Sequence, residues 1–154
     1  MTAPCVSVIL PTFNRADLLA PSVRSVLNQD FTDLELIVVD DGSTDHTTRV
    51  LDSIKDSRLQ LLRLDSNRGQ SAARNAGIEK SRGEFIAFQD SDDVWYRNKL
   101  SRQIDVFRSC PEVSVVYSDM RRIRSDGSWF VLQAPDIAPG QAFDNRPKRY
   151  STFG

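Results

Sequence analysis

The chain has 154 residues and a mass of 17.4 kDa, which predicts one domain, because a second hydrophobic core would need more chain. Hydrophobic residues make up 40% of the sequence and charged residues 27%. This globular composition disfavours a disordered chain, a collagen-like repeat and a disulfide-dense mini-protein. The net charge of −1 argues against a nucleic-acid binder. Because no apolar run could span a bilayer and the start lacks the form of a signal peptide, we expect a cytoplasmic protein.

Short apolar runs alternate with amphipathic helical stretches along most of the chain. This pattern is typical of βαβ units and predicts a parallel sheet covered by helices. The predicted strands are 5–10, 34–39, 58–64, 84–88 and 113–117. The predicted helices are 14–29 with Asn14 as N-cap, a second one capped by Ser43, Thr44 or Asp45, 70–80, and 97–108. Pro21 should kink the first helix or delay its start, and small residues along the third helix predict a close approach to the sheet.

The composition and periodicity of the sequence change toward its end. Residues 125–127 predict a turn that leads into a hairpin strand at 128–132. Beyond residue 132 there are three prolines and neither a helical nor a strand period, so we expect 133–154 to form an extended or disordered tail. The domain boundary is therefore predicted near residue 132.

Polar sequences follow three of the predicted strands, at 11–15, 40–45 and 90–95. In a parallel sheet they would share one edge, where ligands bind beyond the carboxyl ends of the strands. The run of Asp90, Asp92 and Asp93 gathers carboxylates whose mutual repulsion predicts a compensating divalent cation, one that shares its shell with substrate phosphates. Aspartates are also common in turns and N-caps, so the composition of the run does not decide between these interpretations.

Four further residues near this predicted edge have two interpretations each. Asp40 and Asp41 fit a turn followed by a helix cap, and they equally fit carboxylates that accept hydrogen bonds from a base or a ribose. Arg68 and Arg74 lie where a guanidinium could meet phosphate near a helix N-terminus, although surface arginines are common. The residue types alone leave both pairs open.

Several function classes lose support from the motifs. The sequence contains no GxGxxG, GxxxxGK[ST] or GxSxG motif, which disfavours a dinucleotide oxidoreductase, a P-loop protein and a serine hydrolase. Cys5 and Cys110 show no metal-ligand spacing, so buried free thiols are the better interpretation. Phe13 and Trp95 fit either a sugar or base pocket or burial against the sheet.

Four segments taken in order resemble the inverting family 2 glycosyltransferases, which have a GT-A fold: VSVILPTFNR, LELIVVDDGSTD, RGQSAARNAGI and GEFIAFQDSDDVW. The resemblance spans residues 5–118. It implies a Rossmann-like three-layer α/β/α sandwich with a mostly parallel central sheet. It also implies a sugar transfer with inversion from a nucleotide-diphosphate sugar, with UDP favoured and GDP second, assisted by manganese or magnesium.

The resemblance assigns roles to individual residues. The implied donor-binding set is Pro11, Thr12, Phe13, Asn14, Arg15, Asp40, Asp41, Arg68, Arg74, Asp90 and Asp92. The loop that begins at Pro11 would hold the nucleoside end, Asp41 would pair with the base, and Asp40 would support that loop. Asp92 would face the ribose and diphosphate, and Asp92 or Asp93 would hold the metal.

The sequence also departs from the family pattern. Family members usually continue into an acceptor-binding half that supplies the general base. Here the acidic residues beyond Glu112 lie in no context that resembles the base motif: Asp119, Asp126, Asp136 and Asp144. Arg97 also stands where a proline is common in the family. We therefore expect a donor-binding half, with 1–132 as the nucleotide-sugar-binding domain and 133–154 as the start of a missing acceptor half.

The remaining expectations concern partners. The acceptor is expected to be a carbohydrate, a lipid-linked sugar or a protein, and peripheral contact with a membrane and oligomer formation are both compatible with the sequence. A non-catalytic module that binds a nucleotide sugar is the alternative function.

Overall fold

The computed structural model describes residues 2–132 and the backbone of residues 149–151. The strands are β1 Val6–Thr12, β2 Leu34–Asp40, β3 Leu59–Arg63, β4 Phe85–Phe88, β5 Val115–Val116, β6 Met120–Ile123, β7 Trp129–Leu132 and β8 Arg149–Ser151. The helices are α1 Ala16–Leu27, α2 Thr47–Asp52, α3 Gln70–Lys80 and α4 Lys99–Ser109. The predicted alternation of strands and helices is confirmed.

A six-stranded sheet in the order β3-β2-β1-β4-β8-β5 forms the centre of the fold. Neighbouring strands of this sheet pair in parallel, and β1 lies between β2 and β4. Every residue of β1 and β2 is buried, as expected for parallel strands that are covered on both faces. Thr12 stands opposite Asp40 in the register, so the carboxyl ends of β1 and β2 lie side by side.

Helices cover both faces of the sheet. On one face, apolar side chains of β1 such as Val8 and Leu10 pack with those of α1 and α4, including Val23 and Phe107. On the other face, Ile9 and its neighbours in β2 and β4 pack with α3. Successive strand residues point to opposite faces, so the alternation along β1 explains this division. The three-layer α/β/α arrangement predicted from the sequence is confirmed.

Small residues allow α3 to lie close to the sheet, as predicted. Ala73 and Gly77 are buried. A methyl group placed on Gly77 would come within 2.5 Å of Ile9 Cγ2. Any side chain at this position would push α3 away from the sheet, because protein interiors are packed without room for an extra carbon.

Two expectations about helix starts need correction. Asn14 is not the N-cap of α1, which begins at Ala16. Instead Asn14 has a φ of 50°, and its side-chain oxygen accepts the backbone N–H of Thr44 at 2.8 Å. Asn tolerates this left-handed conformation because its short polar side chain can bond locally. Pro21 does not delay the start of the helix, since it lies inside α1, five residues after Ala16.

The second helix begins at Thr47, later than its candidate caps. Among those candidates, Asp45 is the one whose carboxylate accepts the Thr47 N–H, at 2.9 Å. The same carboxylate accepts the N–H of Ala16 at 3.1 Å. Asp45 therefore accepts hydrogen bonds from the first turns of two helices. Burial opposes its ionisation, but these hydrogen bonds from Thr47 and Ala16 outweigh it and lower the pKa of the carboxyl group.

The predicted hairpin is present as β6 and β7, which pair antiparallel with Met120 opposite Leu132. Among the described residues, no helix is long and apolar enough to cross a bilayer. The backbone of β8 lies between β4 and β5, so three residues of the segment expected to be a tail belong to the sheet. The expectations for 133–148 and 152–154 fall outside the described residues, and the boundary at residue 132 stays a prediction.

Candidate functional site

The carboxyl ends of β1, β2 and β4 form one edge, as the sequence predicts. The register places Thr12 beside Asp40, and the N–H of Gln89, just after β4, donates to Ile9 O at 3.0 Å. A cleft of about 290 Å³ opens at this edge. Its predicted lining residues are Pro11, Thr12, Phe13, Arg15 and Asp41, and the others are Asn67, Gly69, Gln70, Ala73 and Ser91.

Asp41 joins two of the loops around the cleft. One carboxylate oxygen accepts the backbone N–H of Arg68 at 2.9 Å, and the other accepts that of Gly69 at 2.8 Å. The Asp41 N–H donates to Thr12 O at 2.9 Å, which ties the loop to β1 as well. Each carboxylate oxygen has a second lone pair, so Asp41 can still accept a hydrogen bond from a bound molecule.

Asp40 lies fully buried beneath this loop and outside the lining of the cleft. Its Oδ1 accepts the backbone N–H of Ser43 at 2.8 Å, and Arg63 Nε lies 3.7 Å from its Oδ2. Arg63 also donates to the Ser43 carbonyl at 2.9 Å. These contacts fix the turn that carries Asp41, so in this structure Asp40 supports the loop.

The two arginines with predicted phosphate contacts occupy different positions. The side chain of Arg68 is exposed, and its backbone is held by Asp41. Arg74 Nη2 donates to Asp90 Oδ1 at 2.7 Å, and its guanidinium lies 5.9 Å from the centre of the Phe88 ring. Arg74 is therefore paired with the first aspartate of the acidic run, a contact that its sequence position on α3 did not reveal.

The acidic run forms a turn directly after β4, in which the Asp93 N–H donates to Asp90 O at 3.1 Å. Its three carboxylates have different surroundings. Asp90 accepts from Arg74 and from Gln70. Asp92 is half exposed and lies 3.3 Å from Arg15 Nη1. Partial burial, followed by the charges of Asp90 and Asp92, raises the pKa of the Asp93 carboxyl.

α3 binds the carboxylate of Asp90, so Asp92 and Asp93 remain the predicted metal ligands of the run. Burial disfavours the charged form of Asp93, its two acidic neighbours add to this effect, and the charge of Lys99 opposes it. Mg²⁺ and Mn²⁺ are held by one or two carboxylates together with substrate phosphates. Within residues 2–132 no group of three or more His, Cys, Asp or Glu side chains is arranged to hold a metal ion.

A lysine with an unusual environment lies near the run. Burial lowers the pKa of Lys99 to about 7, while the charge of Asp93 opposes the shift. Its Nζ lies 4.7 Å from the centre of the Trp95 ring. Trp95 itself is buried in the core, whereas Phe13 lines the cleft. The pocket interpretation therefore fits Phe13, and the packing interpretation fits Trp95.

Sequence analysis missed three polar residues at this edge. Gln70, the first residue of α3, binds Asp90 and lines the cleft. Ser22 and Gln89 are buried beneath the acidic turn and bond to its carbonyl groups. The position of Gln70 at the start of a helix after a strand could have indicated a role. Nothing in the local sequence marks the other two, because the bonds of Ser22 to Gln89 and to Asp90 join distant parts of the chain.

A mostly parallel sheet covered by helices on both faces, with a cleft at the carboxyl ends of its strands, defines an α/β domain of the doubly wound kind. The family model for glycosyl transferase family 2 matches residues 7–153, almost the whole chain. The chain therefore belongs to glycosyl transferase family 2, as the four ordered motifs predicted.

Known proteins of this family align over most of the chain. The UDP-Glc:alpha-D-GlcNAc-diphosphoundecaprenol beta-1,3-glucosyltransferase WfgD of Escherichia coli is 37% identical over 121 residues, which are 79% of this chain and 47% of WfgD. The chain spans about half the length of the curated relatives it matches.

Two solved structures share the fold. Staphylococcus aureus TarS 1–349 in complex with UDP-GlcNAc has a TM-score of 0.68 and 29% identity, over 75% of this chain and 34% of that one. The mannosyltransferase PcManGT from Pyrobaculum calidifontis in complex with GDP-Man and Mn²⁺ has a TM-score of 0.68 and 30% identity, over 79% and 37% of the two chains. These similarities confirm the GT-A fold that the resemblance implied.

Proposed function

We propose that this chain is the donor-binding part of a glycosyltransferase that transfers a sugar from a nucleotide-diphosphate sugar to an acceptor hydroxyl. The observation that carries the proposal is the cleft where the ends of β1 and β2, the start of α3 and the acidic turn meet. The family membership and the nucleotide sugars bound by TarS and PcManGT support it.

The cleft offers distinct groups to the two ends of a nucleotide sugar. Phe13 presents an exposed ring to a base, and Asp41 presents carboxylate oxygens to an imide N–H or a ribose hydroxyl. The diphosphate would lie toward the N-terminus of α3, where Gly69 and Gln70 line the cleft, because a helix N-terminus favours anions. Exposed Arg15 and Arg68 would add positive charge.

A divalent cation, manganese or magnesium, would be held by Asp92 and Asp93. When bound, such an ion neutralises the charge that develops on the leaving diphosphate. Arg15, which pairs with Asp92 at 3.3 Å, would be available to contact phosphate once a cation neutralises that carboxylate. The protein would thus exchange one ion pair for contacts with the donor.

We infer that UDP-sugars are preferred over GDP-sugars, since the relative WfgD is named for a UDP-Glc donor. The same name supports a lipid-linked acceptor, a sugar carried on a diphospho-polyprenol, and such an acceptor would bring the protein to a membrane surface. Inversion at the anomeric carbon is the stereochemistry proposed, and it requires a general base within hydrogen-bond reach of the acceptor hydroxyl. We assign no described residue to that base.

Titration calorimetry with UDP and GDP, each in Mn²⁺ and in EDTA, tests the proposal. UDP should bind in Mn²⁺ and at least about tenfold more weakly in EDTA or in the D92N and D93N variants, since removal of a metal ligand removes the bridge to the diphosphate. The matched control is D126N, because Asp126 lies on the exposed hairpin turn. Equal UDP affinity with and without the metal would contradict the metal assignment.

A non-catalytic module that binds nucleotide sugars is the second candidate. It is favoured by the cleft, which contains donor-binding groups but no residue that we assign as a base. Incubation of the chain with UDP-glucose and a sugar-diphosphate lipid separates the two candidates. Release of UDP with formation of a disaccharide-lipid supports the enzyme, whereas binding without turnover supports the module.

A further inference from the structure

Two polar side chains lie beneath the acidic turn with almost no exposed surface. Ser22 of α1 is 0% exposed, and Gln89, the residue between β4 and the turn, is 1% exposed. Neither reaches the cleft lining, and the proposed function gives neither a direct contact with the donor. Polar groups are rarely buried at this depth without a hydrogen-bonding purpose.

Their hydrogen bonds form one chain that ends on the turn. Gln89 Nε2 donates to Ser22 Oγ at 3.0 Å, and Ser22 Oγ donates to the Asp90 carbonyl at 3.0 Å. The same amide nitrogen also donates to the Asp93 carbonyl, at an N···O distance of 2.6 Å. A carbonyl oxygen only accepts, so these contacts fix which end of the Gln89 amide faces the turn. Both ends of the four-residue turn are thereby attached to buried groups.

Further side chains on one face of α1 form hydrogen bonds with the backbone that follows the acidic turn. Ser25 Oγ accepts the Trp95 N–H at 3.1 Å, and Gln29 Nε2 donates to the Tyr96 carbonyl at 2.8 Å. Ser22, Ser25 and Gln29 are three and four residues apart, the spacing that places side chains on one helical face. The segment after β4 therefore follows α1, which begins one residue after Arg15, the group that pairs with Asp92.

From this network we infer that Ser22 and Gln89 are positioning residues that hold the acidic turn in the arrangement in which Asp92 and Asp93 receive the cation and diphosphate. This inference rests on the proposed function. Neighbouring carboxylates repel one another in the absence of a cation, and the turn would otherwise open. Groups that orient metal ligands from behind commonly control metal affinity about 10–100-fold.

The side-chain oxygen of Gln89 makes it possible to distinguish an effect on ligand binding from an effect on stability. Its Oε1 is buried, and within the described part of the chain it accepts no hydrogen bond. Replacement by leucine removes this unsatisfied oxygen along with the two donors, so the gain and the loss in stability partly cancel. Q89L should therefore lose ligand affinity out of proportion to its loss of stability.

The experiment compares S22A and Q89L with S7A. Ser7 is also 0% exposed, and its hydroxyl also links two parts of the chain, but at the opposite end of the sheet. Three quantities are measured: urea unfolding, hydrogen exchange of residues 90–95, and the Kd for UDP in Mn²⁺. We expect S22A and Q89L to speed exchange in 90–95 and to raise the Kd about 10–100-fold. S7A should change neither, although it destabilises the chain about as much as S22A.

Two outcomes would overturn the inference, and they are distinguishable. If the unmodified chain binds UDP in Mn²⁺ and S22A and Q89L bind it equally well, the positioning role alone is wrong. If the unmodified chain binds no nucleotide in Mn²⁺, the proposed function fails and the positioning role fails with it. A parallel loss of affinity in S7A would show a general effect of stability and would also contradict positioning.

Discussion

Arg74 Nη2 lies 2.7 Å from Asp90 Oδ1, so the first carboxylate of the acidic run is bound by a helix on the other side of the cleft. Gln70 from the same helix donates to the same oxygen at 3.1 Å. The run therefore contains one carboxylate that joins α3 to the turn and two others, Asp92 and Asp93, that we propose as cation ligands. Three aspartates within four residues of the sequence thus have different surroundings.

A double-mutant cycle with R74Q and D90N measures the strength of this link. Both side chains are about one third exposed, so solvent weakens the pair, and we expect a coupling energy of about 1 kcal/mol. The measurement is urea unfolding of the four proteins at low and high salt, and added salt should reduce the coupling. Strictly additive effects of the two substitutions would show that the contact contributes nothing to stability.

Asp93 should destabilise the metal-free chain at neutral pH. Its carboxyl has a raised pKa because burial and its acidic neighbours disfavour the charged form. D93N removes the cost and should raise the free energy of unfolding in EDTA, by at most about 1 kcal/mol because the group is partly solvated. The gain should shrink as the pH falls through the raised native pKa and vanish below the ordinary pKa of the unfolded chain, where both states are neutral.

The control for D93N is D126N. Hydrogen bonds from Ser128 lower the pKa of Asp126, so its replacement should bring no gain at pH 7. Both proteins are unfolded with urea at pH 7 and pH 3 in EDTA. A loss of stability in D93N at pH 7 would contradict the view that this carboxylate is held at a cost in readiness for a cation.

Local sequence patterns were sufficient for much of the fold. The helix at 70–80 was predicted with the bounds that the structure has, because its polar turn, its run of small residues and its end are all encoded nearby. The parallel sheet followed from the alternation of strands and helices, and a parallel sheet brings its carboxyl ends together. The edge of the sheet, and the cleft at that edge, were predictable for this reason.

Contacts between distant segments were not predictable in the same way. Asn14 has the residue type of a helix cap, yet its side chain binds the loop of Thr44, thirty residues away. Gln89 carries no signal in its neighbourhood, because its role depends on a helix from an earlier part of the chain. The identities of such residues limit their chemistry, whereas the fold decides which partner they meet.

A comparison of Gly42 with Gly127 tests why the turn after β2 requires glycine. Both have a positive φ, 78° and 81°. A methyl group at Gly127 would enter open space, but one at Gly42 would lie 2.7 Å from the backbone carbon of Ser66. We expect G127A to cost about 1–2 kcal/mol for conformation alone, and G42A to cost about 3–5 kcal/mol because backbone must also move. Thermal and urea unfolding of both variants give the comparison, and equal losses would rule out the proposed clash.

Glu35 should make the chain sensitive to acid at the end of the sheet opposite the cleft. Its buried carboxylate accepts from Ser7 at 2.7 Å, from Gln60 at 2.8 Å and from Arg82, whose Nη2 lies 2.6 Å away. Burial opposes ionisation, but these donors outweigh it and hold the pKa below its ordinary value of 4.5. The stabilisation is therefore complete above the unfolded-state pKa and is lost as the pH falls through the lower, native one.

The substitution E35Q tests this account, because it turns one acceptor oxygen into a donor that faces the donors of Gln60 or Arg82. We expect a loss of about 2–3 kcal/mol at pH 7. Urea unfolding from pH 7 to pH 3 should show a steeper decline for the unmodified chain, so that the two curves converge in acid. The control is D56N, since Asp56 is a partly buried acid that pairs with Arg58 at the surface and its loss should cost less at pH 7. Parallel curves for E35Q and the unmodified chain would show that Glu35 does not control the acid sensitivity.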